Sequence, residues 1–418
     1  MIMGPVFDRK EAISLLDAYR GNGIIKAITG IRRCGKSFLL FELYKKHLIE
    51  DGVSSSSFVE IHLDRKSEES LRDSFAFISF INERLQSIDG QAYIFIDEVQ
   101  YLEDFVAVLN DINRPGRVDI FVTGSNSHLL SSNIATEFRG RVSEVRLYPL
   151  SYKEIREQME YSVNDYLVYG GMPTAVLAGS ENARVKTLEA LVRNVYIADI
   201  QERHKVKDEA VLGSVLDVLC SSIGSITNPA RIENTLRSKG RKIADDTVSA
   251  YIGYFKESFL AEEAKRYDIK GRDYLDSNPK YYIEDNGLRN ARLCMRQIEM
   301  THLMENAIYL ELLKRGFLVD TGMIAISGTV DGKRASLQTE VDFVARKGSL
   351  TVYIQSAYMI PDKDKEEQEK RPLLKIADAF PRVIITRDTA KNHYDEDGVL
   401  WISLESFLLS EDPFREEI

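Results

Sequence analysis

A glycine-rich stretch at residues 30–37 carries the clearest chemical signal in the sequence. It reads Gly30-Ile31-Arg32-Arg33-Cys34-Gly35-Lys36-Ser37 and fits the pattern G-x-x-x-x-G-K-[ST]. Glycines without a Cβ let the backbone turn successive N–H groups into one concavity that accepts an anion. Lys36 would reach the β- and γ-phosphates of a nucleotide, and the Ser37 hydroxyl would bind Mg²⁺. The stretch predicts a nucleotide-phosphate site that extends to Phe38, where the next helix begins.

Two adjacent carboxylates, Asp97 and Glu98, follow the apolar run Ala92-Tyr93-Ile94-Phe95-Ile96. An aspartate at the end of a buried strand can hold Mg²⁺ beside the phosphates, and the next carboxylate can polarise water for attack on the γ-phosphate. The alternative is an acidic N-cap for a helix from Glu103 to Asn113. The spacing from the glycine-rich stretch favours the catalytic interpretation.

Further polar residues follow the next two strand candidates. In Thr123-Gly124-Ser125-Asn126, the side chain of Asn126, Ser125 or Thr123 could hydrogen-bond the γ-phosphate or the attacking water, or the stretch could be an ordinary turn before a helix N-cap. Arg139 and Arg141 suit stabilisation of charge in phosphoryl transfer, within one subunit or towards a neighbouring subunit. A solvated pair of loop arginines is the alternative.

The elements that must position these residues are short apolar strands alternating with helices, which predicts an α/β fold over residues 1–150. The strand candidates are Ile24–Thr29, Ser57–Leu63, Ala92–Ile96, Val118–Val122 and Val142–Leu147. Open α/β sheets bind ligands at the carboxyl ends of their strands, where all of the polar groups except the arginine pair are expected. One strand intervenes in sequence between the two motif strands, so another could also lie between them in the sheet.

Length and composition bound the remaining possibilities. The 418 residues suggest about three domains. With 55 Lys and Arg against 65 Asp and Glu, the net charge is −10, which gives no general attraction to nucleic acid or to anionic membranes. Three widely spaced cysteines form neither a disulfide framework nor a zinc site. We expect a cytoplasmic protein without membrane contact, since no signal peptide or apolar span is evident.

Beyond residue 150 the pattern becomes helical. We expect a helical lid and linker over residues 151–206 and a winged-helix-like domain over 207–275, with Leu260 to Tyr274 as its wing hairpin. Residues 231–242 hold five basic and one acidic side chain, a local charge of +4 that suits phosphate contacts. Residues 207–275 as a whole hold eleven basic and eleven acidic side chains, which favours a protein–protein or interdomain role over DNA binding.

Residues 276–418 follow the layout of restriction-endonuclease-like folds, with a helical Glu305, a strand Asp342 and a polar residue on the next strand. Such nucleases hold Mg²⁺ with carboxylates and use a lysine to activate water. Here the usual Glu-x-Lys is Gln355-Ser356-Ala357, so the acid is an amide and the lysine is absent. We therefore predict a small α/β nuclease-like domain without catalytic activity.

The motifs together resemble those of the prokaryotic AAA-type ATPases often called archaeal-ATPase-like. The matching stretches include Thr29–Ser37, Phe95–Gln100, Thr123–Ser127, Arg139–Arg141 and Tyr148–Ser151. The resemblance implies ATP as the nucleotide, the sheet order 5-1-4-3-2, Asp97 as a metal ligand and Glu98 as the water-activating base. It also implies Asn126 as the sensor and Arg139 or Arg141 as a candidate arginine finger. Residues 276–418 resemble the C-terminal domain that accompanies this family.

The expected function is an ATP-binding, Mg²⁺-dependent switch ATPase that couples nucleotide state to a protein or DNA partner. A homo-oligomer would suit an arginine finger acting between subunits. The alternatives are a winged-helix DNA-binding regulator and an ATP-dependent nuclease. Because Cys34 lies between Arg33 and Lys36, at the start of a helix, we also predict a reactive thiol at the phosphate loop.

Overall fold

The computed structural model describes residues 4–126, 138, 140–241, 243–275, 277–330, 333–387 and 391–414, with the backbone alone over 326–330 and 333–337. The chain divides into two compact units. The first comprises Met1–Leu150 with Lys256–Phe259, and the second comprises Ser151–Phe255 with Leu260–Ile418. Within the described ranges, none of the helices has the length and apolar content needed to cross a bilayer.

A parallel sheet of five strands forms the centre of the first unit. Its strands are β1 (Ile25–Thr29), β2 (Phe58–His62), β3 (Ala92–Asp97), β4 (Val118–Gly124) and β5 (Val142–Arg146). They lie in the order β2-β3-β4-β1-β5, which confirms the predicted order 5-1-4-3-2 read from the opposite edge. Strand β4 therefore separates β1, which precedes the glycine-rich stretch, from β3, which ends in Asp97.

Burial explains why the central strands are rich in apolar residues. Every residue of β1, β3 and β4 is buried, as expected for a parallel sheet covered by helices on both faces. The α-helices among the described residues of this unit are α1 (Lys10–Ala18), α2, α3 (Ser74–Gln86) and α4 (Phe105–Ile112). Helix α2 begins at Lys36–Phe38, continues as a π-helix through Leu39–Tyr44 and ends with Lys45–Glu50.

The second unit begins with helices whose ends follow the sequence signals. Ser151 and Glu154 form the predicted capping box, and the helix Val163–Tyr169 ends before Gly170-Gly171. The helices up to residue 257 are α5 (Tyr152–Arg156), α6 (Val163–Tyr169), α7 (Pro173–Val176), α8 (Glu181–Ala190, then a π-helix Leu191–Ile197 and Ala198–His204), α9 (Glu209–Ser221), α10 (Pro229–Ser238) and α11 (Asp245–Glu257).

The predicted wing hairpin is paired differently in the structure. Strand β6 (Ala261–Ala264) pairs antiparallel with β9 (Lys280–Ile283), outside the predicted Leu260–Tyr274 hairpin. Between them, β7 (Arg266–Asp268) and β8 (Asp273–Tyr274) form a small hairpin that belongs to another sheet. The predicted stretch therefore does contain a hairpin, but only its β7–β8 part pairs within the stretch. The partner of β6 lies outside it, because strand pairing depends on distant chain segments that local turn signals do not reveal.

An eight-stranded mixed sheet completes the second unit, in the order β14-β15-β13-β12-β11-β10-β7-β8. Its remaining strands are β10 (Leu318–Val330), β11 (Lys333–Lys347), β12 (Leu350–Ala357), β13 (Arg382–Thr386), β14 (His393–Tyr394) and β15 (Leu400–Ser403). The helices of this region are α12 (Asn286–Arg292), α13 (Met300–Lys314), α14 (Lys363–Leu374) and α15 (Leu404–Leu409). Strands β11 and β12 contain the two predicted strands that carry Asp342 and Gln355.

Candidate functional site

The glycine-rich stretch forms a tight loop between β1 and α2, and its glycines are required by geometry. Gly30 has φ 140°, and a Cβ placed there would lie 2.0 Å from the Leu147 carbonyl oxygen. Gly35 has φ 107°, in a region that other residues rarely adopt. The loop therefore takes its path only with glycine at both positions. We call residues 30–37 the phosphate loop.

Lys36 lies inside this loop at the start of α2. Its side chain is buried, and Nζ donates hydrogen bonds to the carbonyl oxygens of Gly30 at 2.9 Å and Ile31 at 3.2 Å. The amino terminus of α2 adds its positive dipole end at the same place. An ammonium group, a helix start and a curled loop therefore meet at one point, which suits a phosphate group.

Ser37 connects the phosphate loop to the end of β3. Its hydroxyl donates to Asp97 Oδ1 at 2.8 Å, and the same carboxylate oxygen accepts the Thr123 hydroxyl at 2.5 Å. His62 Nδ1 lies 3.7 Å from the other oxygen of Asp97, and its ring packs on Phe41. Asp97 is thus surrounded by groups from three parts of the first unit: the start of α2, the end of β4 and the end of β2.

Glu98 follows Asp97 in a left-handed backbone conformation, with φ 51° and ψ 55°. This conformation is uncommon for a residue with a side chain and is held here by the Glu98 N–H, which donates to Thr123 Oγ1 at 3.0 Å. Glu98 Oε2 accepts hydrogen bonds from Ser125 Oγ, at 3.1 Å, and from Gln100 Nε2. Within the described part of the chain both of these bonds fall on Oε2, which leaves Oε1 available to a water molecule.

The donor set fits Mg²⁺ when a nucleotide supplies further oxygens. Among the described residues there is no group of three or more His, Cys, Asp or Glu side chains that could hold a metal by themselves. Mg²⁺ prefers oxygen ligands, usually retains several waters and commonly takes one or two protein ligands with substrate phosphates. The Ser37 hydroxyl and the Asp97 carboxylate provide that kind of incomplete site.

The sensor and arginine candidates follow β4 and precede β5. Asn126 follows β4 by two residues and is partly buried. Arg139 lies outside the described residues. Arg141 precedes β5 at the amino end of the sheet, where its carbonyl oxygen accepts the Ile25 N–H at 2.8 Å. The phosphate loop lies at the opposite end of β1, about 15 Å away at ~3.3 Å per strand residue. The structure therefore does not bring Arg141 to the phosphate loop of its own subunit.

The Cys34 thiol is not an exposed reactive group. Cys34 is fully buried, and its Sγ donates to the Leu147 carbonyl oxygen at 3.3 Å. The expectation of a reactive thiol considered only the charges of the sequence neighbours, whereas the loop turns this side chain towards β5. Covalent modification would require the loop to open.

A second cluster of charged residues lies in the second unit, mostly within the region predicted to be nuclease-like. Lys280 Nζ contacts Glu305 Oε1 at 3.1 Å and Glu340 Oε1 at 2.6 Å. The Tyr282 hydroxyl also donates to Glu305 Oε1, at 2.8 Å. Burial would lower the pKa of Lys280, but the charges of Glu305, Asp342 and Glu340 outweigh it and raise the pKa. A lysine thus reaches the acidic residues from β9, although none occupies position 357.

Asp342 borders the same cluster on β11. Its Oδ2 accepts the Ser356 N–H at 2.8 Å, and its own N–H lies 3.4 Å from Gln355 Oε1. Burial, together with the negative charge of Glu305, raises the pKa of the Asp342 carboxyl well above its ordinary value. We call Lys280, Glu305, Glu340 and Asp342 the Lys280 cluster.

Sequence patterns missed three residues of these sites: His62 and Gln100 in the first unit, and Lys280 in the second. Gln100 follows the Asp-Glu pair by two residues, and this proximity was the one available signal for it. Thr123 was considered only as a ligand for phosphate or water, whereas the structure bonds it to Asp97 and Glu98.

Comparison with known proteins identifies the class of the first unit. A family model described as an AAA domain matches residues 22–156, and one described as a domain of unknown function matches residues 160–299. A solved structure of a Walker-type ATPase of Pyrococcus abyssi is similar in fold, with a TM-score of 0.50 at 15% identity over 69% of this chain and 96% of that one. The first unit is a P-loop nucleotide-binding domain of the AAA class.

Whole-chain relatives then give the family. An uncharacterised protein of Haemophilus influenzae is 33% identical over 390 residues, which cover 91% of this chain and 93% of the relative. The chain therefore belongs to the same family of AAA-domain proteins as that protein. An uncharacterised protein of Methanocaldococcus jannaschii is 27% identical over 369 residues, covering 83% of this chain and 77% of its own length.

Proposed function

We propose that this protein is a Mg²⁺-dependent ATPase whose nucleotide state controls its contact with a protein partner. The proposal rests on the hydrogen-bonded chain from Ser37 through Asp97 and Thr123 to Glu98. This chain links a metal-binding hydroxyl, a metal-binding carboxylate and a water-activating carboxylate beside the phosphate loop. A protein that only stored nucleotide would have no use for a second carboxylate held with one oxygen free.

In this mechanism the backbone N–H groups of Gly30 to Phe38 bind the phosphates, and Lys36 exchanges its loop carbonyls for β- and γ-phosphate oxygens. Mg²⁺ held by Ser37 and Asp97 would neutralise charge on those oxygens. Glu98 Oε1 takes a proton from water while the water oxygen bonds to the γ-phosphorus. The bond from that phosphorus to the bridging oxygen breaks, giving ADP and phosphate.

Asn126 is the proposed sensor, since it follows the carboxyl end of β4, and Glu98 follows the carboxyl end of the neighbouring strand β3. Ordering of this segment by the γ-phosphate would be the switch that the rest of the chain responds to. If Arg141 is the arginine finger, it would act on the nucleotide of a neighbouring copy. The reason is that Arg141, at the amino end of β5, is remote from the phosphate loop of its own subunit. A homo-oligomer follows from that assignment.

A protein partner is favoured over DNA by the charges of the region proposed as a winged helix. Helix α11 would be its recognition helix, and it begins with the exposed carboxylates Asp245 and Asp246. Two negative charges at the start of such a helix repel DNA phosphates. The basic residues near α10 keep DNA as the second candidate.

Nuclease activity is disfavoured by the raised pKa of Lys280, which keeps its side chain protonated. A lysine that activates water must release its proton, whereas neighbouring carboxylates raise the pKa of Lys280. The nuclease-like region is therefore proposed to be non-catalytic.

The test is ATP binding and steady-state hydrolysis by wild type, Lys36→Ala and Glu98→Gln, with and without duplex DNA. Lys36→Ala should lose nucleotide binding. Glu98→Gln should bind ATP but turn over roughly 10²- to 10⁴-fold more slowly, the usual contribution of a general base. Glu103→Gln, which removes a nearby exposed carboxylate, is the matched control and should hydrolyse normally.

Each outcome of that test separates the candidates. ATP binding by wild type without turnover, in the presence and absence of DNA, would contradict the hydrolytic role of Glu98. Strong stimulation of hydrolysis by DNA would favour the DNA-linked function over the protein partner.

A further inference from the structure

Arg9 reaches the phosphate loop from the segment before α1, where no sequence pattern marks it. Its side chain is buried, with the whole residue only 7% exposed. Its Nη2 donates to the carbonyl oxygen of Cys34 at 2.7 Å. A Cβ placed on Gly35 would lie 3.9 Å from the same nitrogen, so the guanidinium is adjacent to the Cys34–Gly35 peptide.

The backbone at Arg9 is adapted to this contact. Arg9 has φ 52° and ψ 40°, a left-handed conformation that is strained for a residue with a Cβ. It occupies the N-cap position of α1, and its carbonyl oxygen accepts the Ile13 N–H at 3.0 Å. The start of α1 therefore fixes the strained residue, which in turn directs a cationic side chain to the loop.

Peptide geometry gives that contact a function. In a planar trans peptide the C=O of Cys34 and the N–H of Gly35 point in opposite directions. A group that holds the Cys34 oxygen therefore also sets the direction of the Gly35 N–H. In a phosphate loop such N–H groups must converge on the anion.

We infer that Arg9 is a positioning residue that holds the Cys34–Gly35 peptide so that the Gly35 N–H faces the nucleotide phosphates. The inference rests on the proposed nucleotide-binding function, since its ligand is the phosphate chain of that nucleotide. A hydrogen bond from a charged donor is stronger than one between neutral groups, so a guanidinium is well suited to the task.

The experiment compares wild type with Arg9→Met and Arg9→Lys. Binding of a fluorescent ATP analogue and of ADP is titrated in Mg²⁺ buffer, and kcat is measured at saturating ATP. Arg9→Met should weaken binding of both nucleotides roughly tenfold, which is ~1.4 kcal/mol. Arg9→Lys should lie between Arg9→Met and wild type, because lysine keeps the charge without the planar fork. We expect kcat to be retained, since Thr123 and Ser125 hold the carboxylates.

Arg20→Lys is the matched control. Arg20 follows α1 and ties the same amino-terminal segment to the sheet through Tyr93, at 3.2 Å. This variant should keep normal affinity for both nucleotides. Equal losses in the Arg9 and Arg20 variants would show a general loosening of the segment and would overturn the inference.

A second readout needs no nucleotide. The Leu39 N–H donates to the Gly35 carbonyl oxygen at 2.8 Å, so hydrogen exchange at this amide reports on the order of the loop. Exchange at Leu39 should be faster in both Arg9 variants than in wild type and unchanged in Arg20→Lys. Unchanged exchange in the Arg9 variants would overturn the inference. Failure of wild type to bind nucleotide, with exchange altered as expected, would instead overturn the proposed function.

Discussion

The two units each hold a group of carboxylates, and the two groups have different neighbours. In the first unit, the carboxylate of Asp97 accepts hydrogen bonds from the hydroxyls of Ser37 and Thr123, and that of Glu98 accepts one from Ser125. In the second unit, the Lys280 ammonium contacts Glu305 and Glu340. Hydroxyl donors orient a carboxylate without adding a charge beside it, whereas the Lys280 ammonium places one positive charge between the two carboxylates.

We interpret this difference as one between the proposed catalytic site and a cluster that serves structure. Carboxylates without a cationic neighbour attract a divalent cation and can accept a proton. Carboxylates beside a lysine of the same chain have less need of an external cation. Acidic residues in the arrangement predicted for nucleases therefore do not by themselves indicate a metal site.

The strongest test of the comparison replaces one aspartate in each group. Asp97→Asn should lower Mg²⁺-dependent ATP turnover by at least roughly 100-fold, because a charged oxygen ligand of the proposed metal is lost. Asp342→Asn should leave turnover unchanged. Steady-state hydrolysis across a Mg²⁺ titration measures both, and similar losses in the two variants would contradict the distinction.

Removing the lysine should expose the charge that it neutralises. Lys280→Met leaves buried carboxylates without their partner and should destabilise the second unit by about 3–5 kcal/mol. Millimolar Mn²⁺ should then raise the melting temperature of this variant but not that of wild type. Lys375→Met, at an exposed lysine, is the control and should show neither effect. If Mn²⁺ does not raise the melting temperature of Lys280→Met, the Lys280 ammonium is not the group that keeps a cation out of this cluster.

Thr123 should matter for catalysis through orientation alone. Thr123→Val removes the donor to Asp97 and takes the acceptor from the partly buried Glu98 N–H, which costs about 1–3 kcal/mol. We expect kcat to fall roughly tenfold to a hundredfold at that cost, with ATP affinity retained. Thr123→Ser keeps the hydroxyl and should restore kcat. Full activity in the valine variant would show that Glu98 is oriented by other contacts.

The smallest effect concerns the pH dependence of stability. The folded chain holds the Asp342 proton to a higher pH than the unfolded chain, because burial and Glu305 raise this pKa from 3.8. The stabilising contribution is therefore complete below that ordinary value and is lost as pH rises through the folded pKa. Urea midpoints from pH 4 to 9 should fall less steeply in Asp342→Asn than in wild type, and parallel curves would exclude this origin.

Local patterns predicted the parts of the site that depend on neighbouring residues. The phosphate loop, the Asp97-Glu98 pair and the ends of the strands were predicted from short stretches in which glycine, apolar and acidic residues have a fixed spacing. The order of the five strands came from family resemblance, since spacing alone allowed several orders. The roles of individual residues remain predictions.

Contacts across long separations were not readable from the sequence. Arg9 and Cys34 are 25 positions apart, as are Lys280 and Glu305. A basic residue at a helix or strand start normally points to solvent, so nothing distinguished these two from other surface charges. The left-handed backbone at Glu98 was equally hidden, because it depends on Thr123, which lies 25 positions away.

The path of the chain between β6 and β9 ties two sheets together. The chain first forms β6 in the two-stranded sheet and then supplies β7 to the eight-stranded sheet, beside β10. It then returns to the two-stranded sheet as β9, the partner of β6. A fragment ending at residue 275 would contain β6 without its partner β9, and the β7–β8 hairpin without β10. Recombination could not exchange these regions as separate modules, and a displacement of the helical region would be transmitted to the large sheet through covalently continuous strands.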